Sequence, residues 1–196
     1  MKRAFLSLAI LLAVAALGGC STSPTASFYT LGTTDVTVDA SAGRPISVIV
    51  APVTVPDLVD RPQFVIRVSD NQVKLDEFAR WADPLKSQIP RVIVADLGQY
   101  LPSAQVSVYP QAGDPAAVYR VRVDVQRFDA TLADAVMVDT LWSVSPPGKS
   151  SPLTGRTIVR EPCTGAGYDA VVAAYSRALT TVSRDIAGAV RSTTGP

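Results

Sequence analysis

The first twenty residues constrain this chain most, because they separate a targeting segment from the part that can fold. Lys2 and Arg3 form a short basic start, and residues 4–17 are apolar apart from Ser7. An apolar run of this length is too short for a permanent transmembrane helix and is typical of a secretory signal. We therefore predict a signal peptide at residues 1–19 and a folded domain further along the chain.

The end of this run, Leu17-Gly18-Gly19-Cys20, resembles the bacterial lipobox, in which the cysteine is acylated before the chain is cut just ahead of it. The alternative is that Cys20 is a small residue inside a signal whose ordinary cleavage site lies further on. Several acyl chains hold a protein on a membrane far more firmly than one, so acylation of Cys20 predicts a lasting anchor. Residue 21 is serine, whereas an aspartate there tends to retain such lipoproteins at the inner membrane. The resemblance therefore predicts the periplasmic face of the outer membrane.

Composition excludes several classes of function. Loss of Lys2 and Arg3 leaves 16 of the 18 Lys and Arg against 17 Asp and Glu, a formal net charge of −1. This balance gives no electrostatic basis for binding nucleic acid. The absence of histidine excludes Ser-His-Asp and Cys-His catalytic sites and the HExxH zinc motif.

Acidic pairs are the remaining candidates for catalysis. Asp57 lies close in sequence to Asp60, and Asp76 precedes Glu77. Solvated turns commonly contain such pairs without any catalytic role. We therefore expect a protein that is not an enzyme and that carries no cofactor or metal apart from the covalent lipid on Cys20.

Cys163 is the only thiol left once Cys20 is acylated, which excludes an intramolecular disulfide. It lies in a loop-like stretch, residues 161–165. It could be a half-buried packing residue, a redox-active thiol or half of an intermolecular bridge. Inert packing is favoured, because Arg160 is the only evident basic neighbour that would lower the pKa of the thiol.

The mature chain is organised as a short tether followed by one domain. Residues 20–27 are small and polar, which suits a flexible link between the lipid and a domain at residues 28–196. Residues 46–53 are almost all apolar and rich in β-branched side chains, which predicts a strand buried on both faces in the middle of the sheet. Apolar and polar residues alternate along 119–126, which predicts a strand with one face in the core. The other predicted strands are 28–31, 63–68, 73–75, 105–109, 136–144 and 154–160.

Two helices complete the predicted fold. Apolar residues recur at helical spacing from 85 to 101, with Asp83 expected as the N-cap and Pro84 at the first helical position. Pro90 inside this pattern must kink the helix or mark its true start. A second apolar stripe runs over residues 171–190. We therefore predict an α/β (α+β) fold in which a mixed, largely antiparallel sheet packs against two long helices in a single domain.

With these elements assigned, the chain resembles the PqiC-like ABC-type transport auxiliary lipoproteins. The residues that carry this resemblance are 29–31, 53–63, 80–85, 122–129, 141–142 and 183–187. It implies a non-catalytic lipoprotein that binds an MCE-domain protein (PqiB-like) and contributes to envelope integrity. The complex would move phospholipid or other hydrophobic molecules between the two bacterial membranes. A homo-oligomeric ring at the end of an MCE tunnel would suit this role.

Two of these segments supply the candidate interface, on a proline-stiffened loop and on a second loop that carries Arg80. The candidate residues are Asp60, Arg61, Pro62, Gln63, Arg80 and Trp81. Arginine and tryptophan are enriched among the residues that dominate binding energies, so we expect contact with the MCE partner or a neighbouring copy. Alternatively, Arg61 or Arg80 pairs internally with Asp60 or Asp83, and Trp81 caps the core.

Two other classes of function stay open from the sequence. One is an autonomous ligand-binding or structural envelope lipoprotein without a transporter partner, and the other is an enzyme that uses carboxylates alone. Apolar residues are not in surplus over what the sheet and helices would bury. We therefore expect the partner, and not this domain, to form any conduit for lipid.

Overall fold

The structure is a computed structural model, and it describes residues 24–35, 45–108, 117–148 and 151–194. The predicted signal peptide and Cys20 therefore lie outside the described residues. Within these ranges the chain forms eight strands and two helices. The strands are β1 (Ser27–Tyr29), β2 (Ile46–Val50), β3 (Gln63–Ser69), β4 (Gln72–Trp81), β5 (Ala104–Ser107), β6 (Val118–Ala130), β7 (Ala135–Ser145) and β8 (Leu153–Pro162). The helices are α1 (Leu85–Tyr100) and α2 (Tyr168–Thr194).

The eight strands form one mixed sheet with β6 at its centre. β6 pairs antiparallel with β7 along one edge, and β7 pairs antiparallel with β8. Along its other edge, β6 pairs in parallel first with β2 and, at its last residue, with β3. The sheet then extends from β2 to β5 and from β3 through β4 to β1. The long ladders are antiparallel, which confirms the predicted mixed sheet.

The prediction that residues 46–53 form the middle strand is wrong. β2 ends at Val50, and only Val48 and Val50 within it are buried. β2 lies between β6 and the edge strand β5. β6 takes the centre because its 13 residues are long enough to pair with two strands in succession. A run of β-branched residues indicates a strand that contributes to the core, but it does not indicate where in the sheet that strand lies.

The helices cover one face of the sheet and leave the other to solvent. α2 packs on β7 and β8, and α1 packs on α2 and β5. The apolar stripe of α2 is fully buried at Val171, Leu179, Val182, Ile186 and Val190, which confirms the second predicted helix. Each such side chain contributes about 1.5–3 kcal/mol through removal of apolar surface from water. Among the described residues, neither helix is long and apolar enough to cross a membrane.

The start of α1 differs from the prediction in two respects. Its N-cap residue is Pro84, without a side-chain capping bond, and Asp83 lies one residue outside the cap. The Asp83 carbonyl instead accepts a hydrogen bond from Gln88 Nε2 at 2.6 Å. The first helical residue is also Leu85 and not Pro84, and Pro90 is buried in the second turn and does not mark the start of the helix. Proline there removes one backbone donor, a cost that burial of this helix face offsets.

Candidate functional site

The proline-containing loop before β3 is fixed to the end of β4. Val59 N and Asp60 N both donate to the Pro56 carbonyl, at 3.0 and 3.2 Å, so the loop folds back in a tight turn. The Trp81 N–H then donates to the Pro62 carbonyl at 2.7 Å. The two candidate segments, well separated along the chain, therefore lie side by side.

Arg80 and Trp81 end strand β4, so the prediction that they lie on a loop is wrong. β4 continues to Trp81 because β1 pairs with its last residues, Phe28 opposite Arg80 and Tyr29 opposite Trp81. The sequence pattern predicted only residues 73–75 of this strand. Asp76 and Glu77 interrupt the apolar alternation there, and a parallel pairing with a three-residue edge strand leaves no local signal.

Glu77 connects Gln63 to Arg80. Gln63 Nε2 donates to Glu77 Oε2 at 3.2 Å, and Arg80 Nη2 forms an ion pair with the same oxygen at 3.2 Å. Arg80 Nε also donates to the Glu77 carbonyl at 2.8 Å. Gln63 and Arg80 are direct partners in the β3–β4 ladder. The structure thus brings these two candidates together on a partly exposed polar surface, through an acid that the sequence did not identify as their partner.

The internal Arg–Asp pairs considered as an alternative do not form. Asp60 accepts a hydrogen bond from Lys86 Nζ at 2.5 Å, which raises the pKa of Lys86. Asp83 binds Arg91. Arg61 is half-buried, and its buried Nε has no hydrogen-bond partner among the described residues. Arg61 thus forms no ion pair with the acids of the described residues.

Trp81 is a core residue. Its side chain is only 5% exposed, and its ring stacks on Phe64 with centroids 4.1 Å apart and planes at 23°. Its other ring neighbours are Phe128 and Tyr175, which stack on each other at 3.8 Å. This position favours the interpretation in which Trp81 caps the core. It leaves Asp60, Arg61, Pro62, Gln63 and Arg80 as the part of the candidate set that reaches the surface.

Asp76 shapes the strand that presents Arg80. One carboxylate oxygen accepts hydrogen bonds from Phe78 N and Ala79 N, at 2.8 and 3.0 Å. The other accepts a hydrogen bond from Tyr168 Oη at 2.6 Å. The tyrosine hydrogen bond is the main cause that lowers the pKa of Asp76, and burial is the main cause that raises the pKa of Tyr168. Asp76 therefore joins the start of α2 to the irregular part of β4, a role that the sequence did not indicate.

Asp96 is a buried acid that sequence reasoning missed. It lies on α1, is fully buried, and neither carboxylate oxygen has a hydrogen-bond partner among the described residues. The nearby hydroxyls of Thr180 and Ser183 on α2 donate to the carbonyls of Ser176 and Leu179 instead. Burial raises the pKa of Asp96 to about 6. Its place in an apolar helical stripe was the available signal, since an acid there must lie between the helices.

The described residues were also compared with the requirements of a metal site and of a reactive thiol. No group of three or more His, Cys, Asp or Glu within those ranges could hold a metal ion. Cys163 is half-buried, and burial raises the pKa of its thiol. A thiol with a raised pKa has little thiolate at neutral pH, which favours inert packing for Cys163 over redox chemistry.

A groove of about 800 Å³ lies on the solvent face of the sheet, away from these candidates. Ala51, Pro52 and Thr54 border it, and Arg122, Asp124, Leu141 and Arg156 lie along it. The groove is open to solvent and has charged residues in its walls. It is therefore not an enclosed apolar chamber of the kind that would carry a lipid.

The match to a known protein family spans most of the described domain. A family model described as "ABC-type transport auxiliary lipoprotein component" matches residues 29–187. A comparison with curated proteins finds no match. The family match includes the loop before β3, the end of β4 and most of α2.

Two solved structures have a similar fold. A crystal structure of an uncharacterized protein superposes with a TM-score of 0.72 at 24% identity, over 85% of this chain and 99% of the other. Protein XCC0632 from Xanthomonas campestris, of the DUF330 family, superposes with a TM-score of 0.65 at 20% identity, over 83% and 93% of the two chains. At these identities the two structures support the fold alone.

Proposed function

The chain belongs to the ABC-type transport auxiliary lipoprotein family, and we propose on that premise that it is a non-catalytic accessory subunit of an MCE-type intermembrane lipid transport system. The observation that carries this proposal is the extent of the family match. It begins in β1 and ends within α2, so the whole folded domain matches a transport auxiliary component.

The proposed site of action is the periplasmic face of the outer membrane. The support is the lipobox-like sequence that ends at Cys20, together with serine in place of aspartate at residue 21. The first strand begins at Ser27, seven residues after Cys20. A tether this short would keep the domain close to the membrane that holds the lipid.

The proposed partner surface is the loop at Asp60–Gln63 together with Arg80. Arg61 is without an acidic partner among the described residues, and the Gln63–Glu77–Arg80 group presents donors and an acceptor at a fixed spacing. Charged and polar groups that the fold does not consume are suited to orient a partner protein. The partner would be the MCE-domain protein, and neighbouring copies in a ring could share the same surface.

Of the acids considered for catalysis, Asp60 and Asp76 have defined structural partners. Asp60 binds Lys86, and Asp76 binds Tyr168 and two backbone amides. These contacts give each carboxylate a structural role that explains its presence without catalysis. This arrangement supports an accessory role and not an enzymatic one.

The experiment that tests the proposal is extraction of the tagged full-length protein from native membranes in mild detergent, with mass spectrometry of the proteins that co-purify. We expect an MCE-domain protein to be recovered with the wild type and to be depleted with Cys20→Ala, the unanchored control. Repeated recovery of the lipoprotein alone would contradict the proposal and favour the autonomous envelope lipoprotein.

A further inference from the structure

Two large apolar side chains are exposed side by side at the β1 edge of the sheet. Phe28 is 64% exposed and Phe78 is 48% exposed, and Leu75 further along β4 is also exposed. Phenylalanine is among the residues most often buried, so two exposed rings at one edge of the sheet indicate a contact surface. We call Phe28 and Phe78 the β1-edge patch.

Both rings are exposed, and the strand pattern places Phe28 on the solvent face of the sheet. Arg80 lies between the buried residues Ala79 and Trp81 and therefore points outward, while Phe78 lies in the irregular part of β4 just before them. Phe28 is the direct partner of Arg80 in the parallel β1–β4 ladder and therefore lies on the same side. Asp76 fixes the backbone of Phe78 through its hydrogen bond to the Phe78 N–H. This bond fixes the irregular part of β4 that carries Phe78.

The distance to Cys20 indicates what covers this patch. Phe28 follows Cys20 by eight residues, and a fully extended chain of eight residues spans at most about 28 Å. An acylated Cys20 lies at the membrane surface, and β1 is the first element after it. β1 is therefore the element whose distance from the lipid the anchor limits most directly.

We propose that the β1-edge patch contacts the phospholipid bilayer and sets the orientation of the domain on it. This inference rests on the proposed function, since it requires the lipid anchor at Cys20. Phe28 and Phe78 insert at the level of the headgroups.

A small patch is sufficient for this purpose because the anchor already supplies the attachment. Two rings would bind a bilayer weakly from solution. Once the domain is tethered, contact is an intramolecular step at high effective concentration, so modest apolar burial selects one orientation. The orientation would place the neighbouring loop at Asp60–Gln63 close to the membrane surface, where a partner that delivers lipid must end.

The test uses full-length acylated protein in vesicles of phosphatidylethanolamine and phosphatidylglycerol, after flotation has verified anchoring. Single cysteines are introduced as Phe28→Cys, Phe78→Cys or Ile158→Cys in a Cys163→Ala background and labelled with one fluorophore. Ile158 is the matched control, a 60% exposed apolar residue on β8 at the far edge of the sheet. Quenching is measured with aqueous iodide and with a nitroxide attached to the lipid, and each anchored protein is compared with its soluble Cys20→Ala form.

We expect iodide quenching at residues 28 and 78 to fall about fivefold on anchoring, with strong quenching by the lipid nitroxide, and neither change at residue 158. Equal iodide access at all three positions would overturn the proposal. Protection from iodide without quenching by the lipid nitroxide would also overturn it, because a second copy or a partner protein would then cover the patch. Failure of the wild type to float with vesicles would instead overturn the anchor and thus the proposed function.

Discussion

At the scale of single residues, the buried carboxyl of Asp96 destabilises the folded state when it is charged. A carboxylate buried between two helices is costly in its charged form, because burial removes water and the nearby hydroxyls of Ser183 and Thr180 offset that loss only in part. The raised pKa of about 6 means that the folded state holds a proton over a pH range in which the unfolded state, with a value near 3.8, has lost it. The free energy of unfolding therefore falls as pH rises from about 4 to about 6 and is lowest above that range.

Asp96→Asn should stabilise the protein at neutral pH. The amide has a similar shape and no charge to desolvate, so we expect a gain of about 2–3 kcal/mol at pH 7.5. The gain should shrink below pH 4, where the carboxyl is protonated in both states. Urea unfolding at the two pH values measures this, with the exposed Asp57→Asn as control. A gain that is equal at both pH values would show that charge burial is not the cause.

Tyr168→Phe tests the hydrogen bond that joins α2 to β4. Removal of the hydroxyl should lower the free energy of unfolding by about 1–2 kcal/mol at pH 7, because a donor to a carboxylate is lost. Since this bond lowers the pKa of Asp76 in the folded state, its contribution is present above pH 3.8 and is lost as pH falls below that value. The loss should therefore disappear at low pH, in contrast to the effect of Tyr119→Phe, which should be small throughout.

At the scale of elements, the pairing of β7 with β8 depends on a glycine. The ring of Trp142 lies on Gly155, and a Cβ there would meet a ring carbon at 2.2 Å. Trp142 Nε1 donates to Thr157 Oγ1 at 2.9 Å, and Thr157 in turn donates to Asp185 on α2 at 2.7 Å. The close approach of this ring to the backbone thus aligns two strands and a helix.

Gly155→Ala should destabilise the domain by about 1–3 kcal/mol, because the rigid ring must move and the hydrogen bonds to Thr157 and Asp185 with it. Gly188→Ala is the matched control, since open space surrounds that position within α2. It should stabilise the helix by about 0.5–1 kcal/mol. Thermal unfolding of both variants measures the difference. Equal behaviour of the two would mean that the contact with Trp142 does not restrain the strands.

The sequence predicted those elements whose pattern is local. Apolar residues recur about every 3.6 residues in α2 and every second residue in β6, and these are the residues that the structure buries. Both predicted elements are confirmed. The end of β4 and the centre of the sheet were missed, because each depends on pairing with residues distant in the chain. The same limit applies to the candidate site. The contact of Arg80 with Glu77 could not be inferred while Arg80 was placed on a loop.

At the scale of the whole molecule, the face of the sheet that packs against the helices provides the core. The proposed contacts with other molecules lie at the edge near the tether. The aromatic cluster around Trp81 holds β1, β4 and α2 together beneath the candidate surface. Above it, Arg61 lacks an acidic partner among the described residues, and Arg80 has an exposed ion pair that contributes little to stability. We therefore expect the fold to tolerate removal of these two cations, which would separate binding from folding.

The most direct measurement is the amount of MCE-domain protein that co-purifies with the double variant Arg61→Ala/Arg80→Ala, relative to wild type, in quantitative mass spectrometry. The account predicts a fall of about tenfold or more, with a free energy of unfolding within about 1 kcal/mol of wild type. Arg122→Ala, an exposed arginine on the solvent face of β6, should leave recovery unchanged. Recovery of the partner by the double variant at the wild-type level would contradict the account.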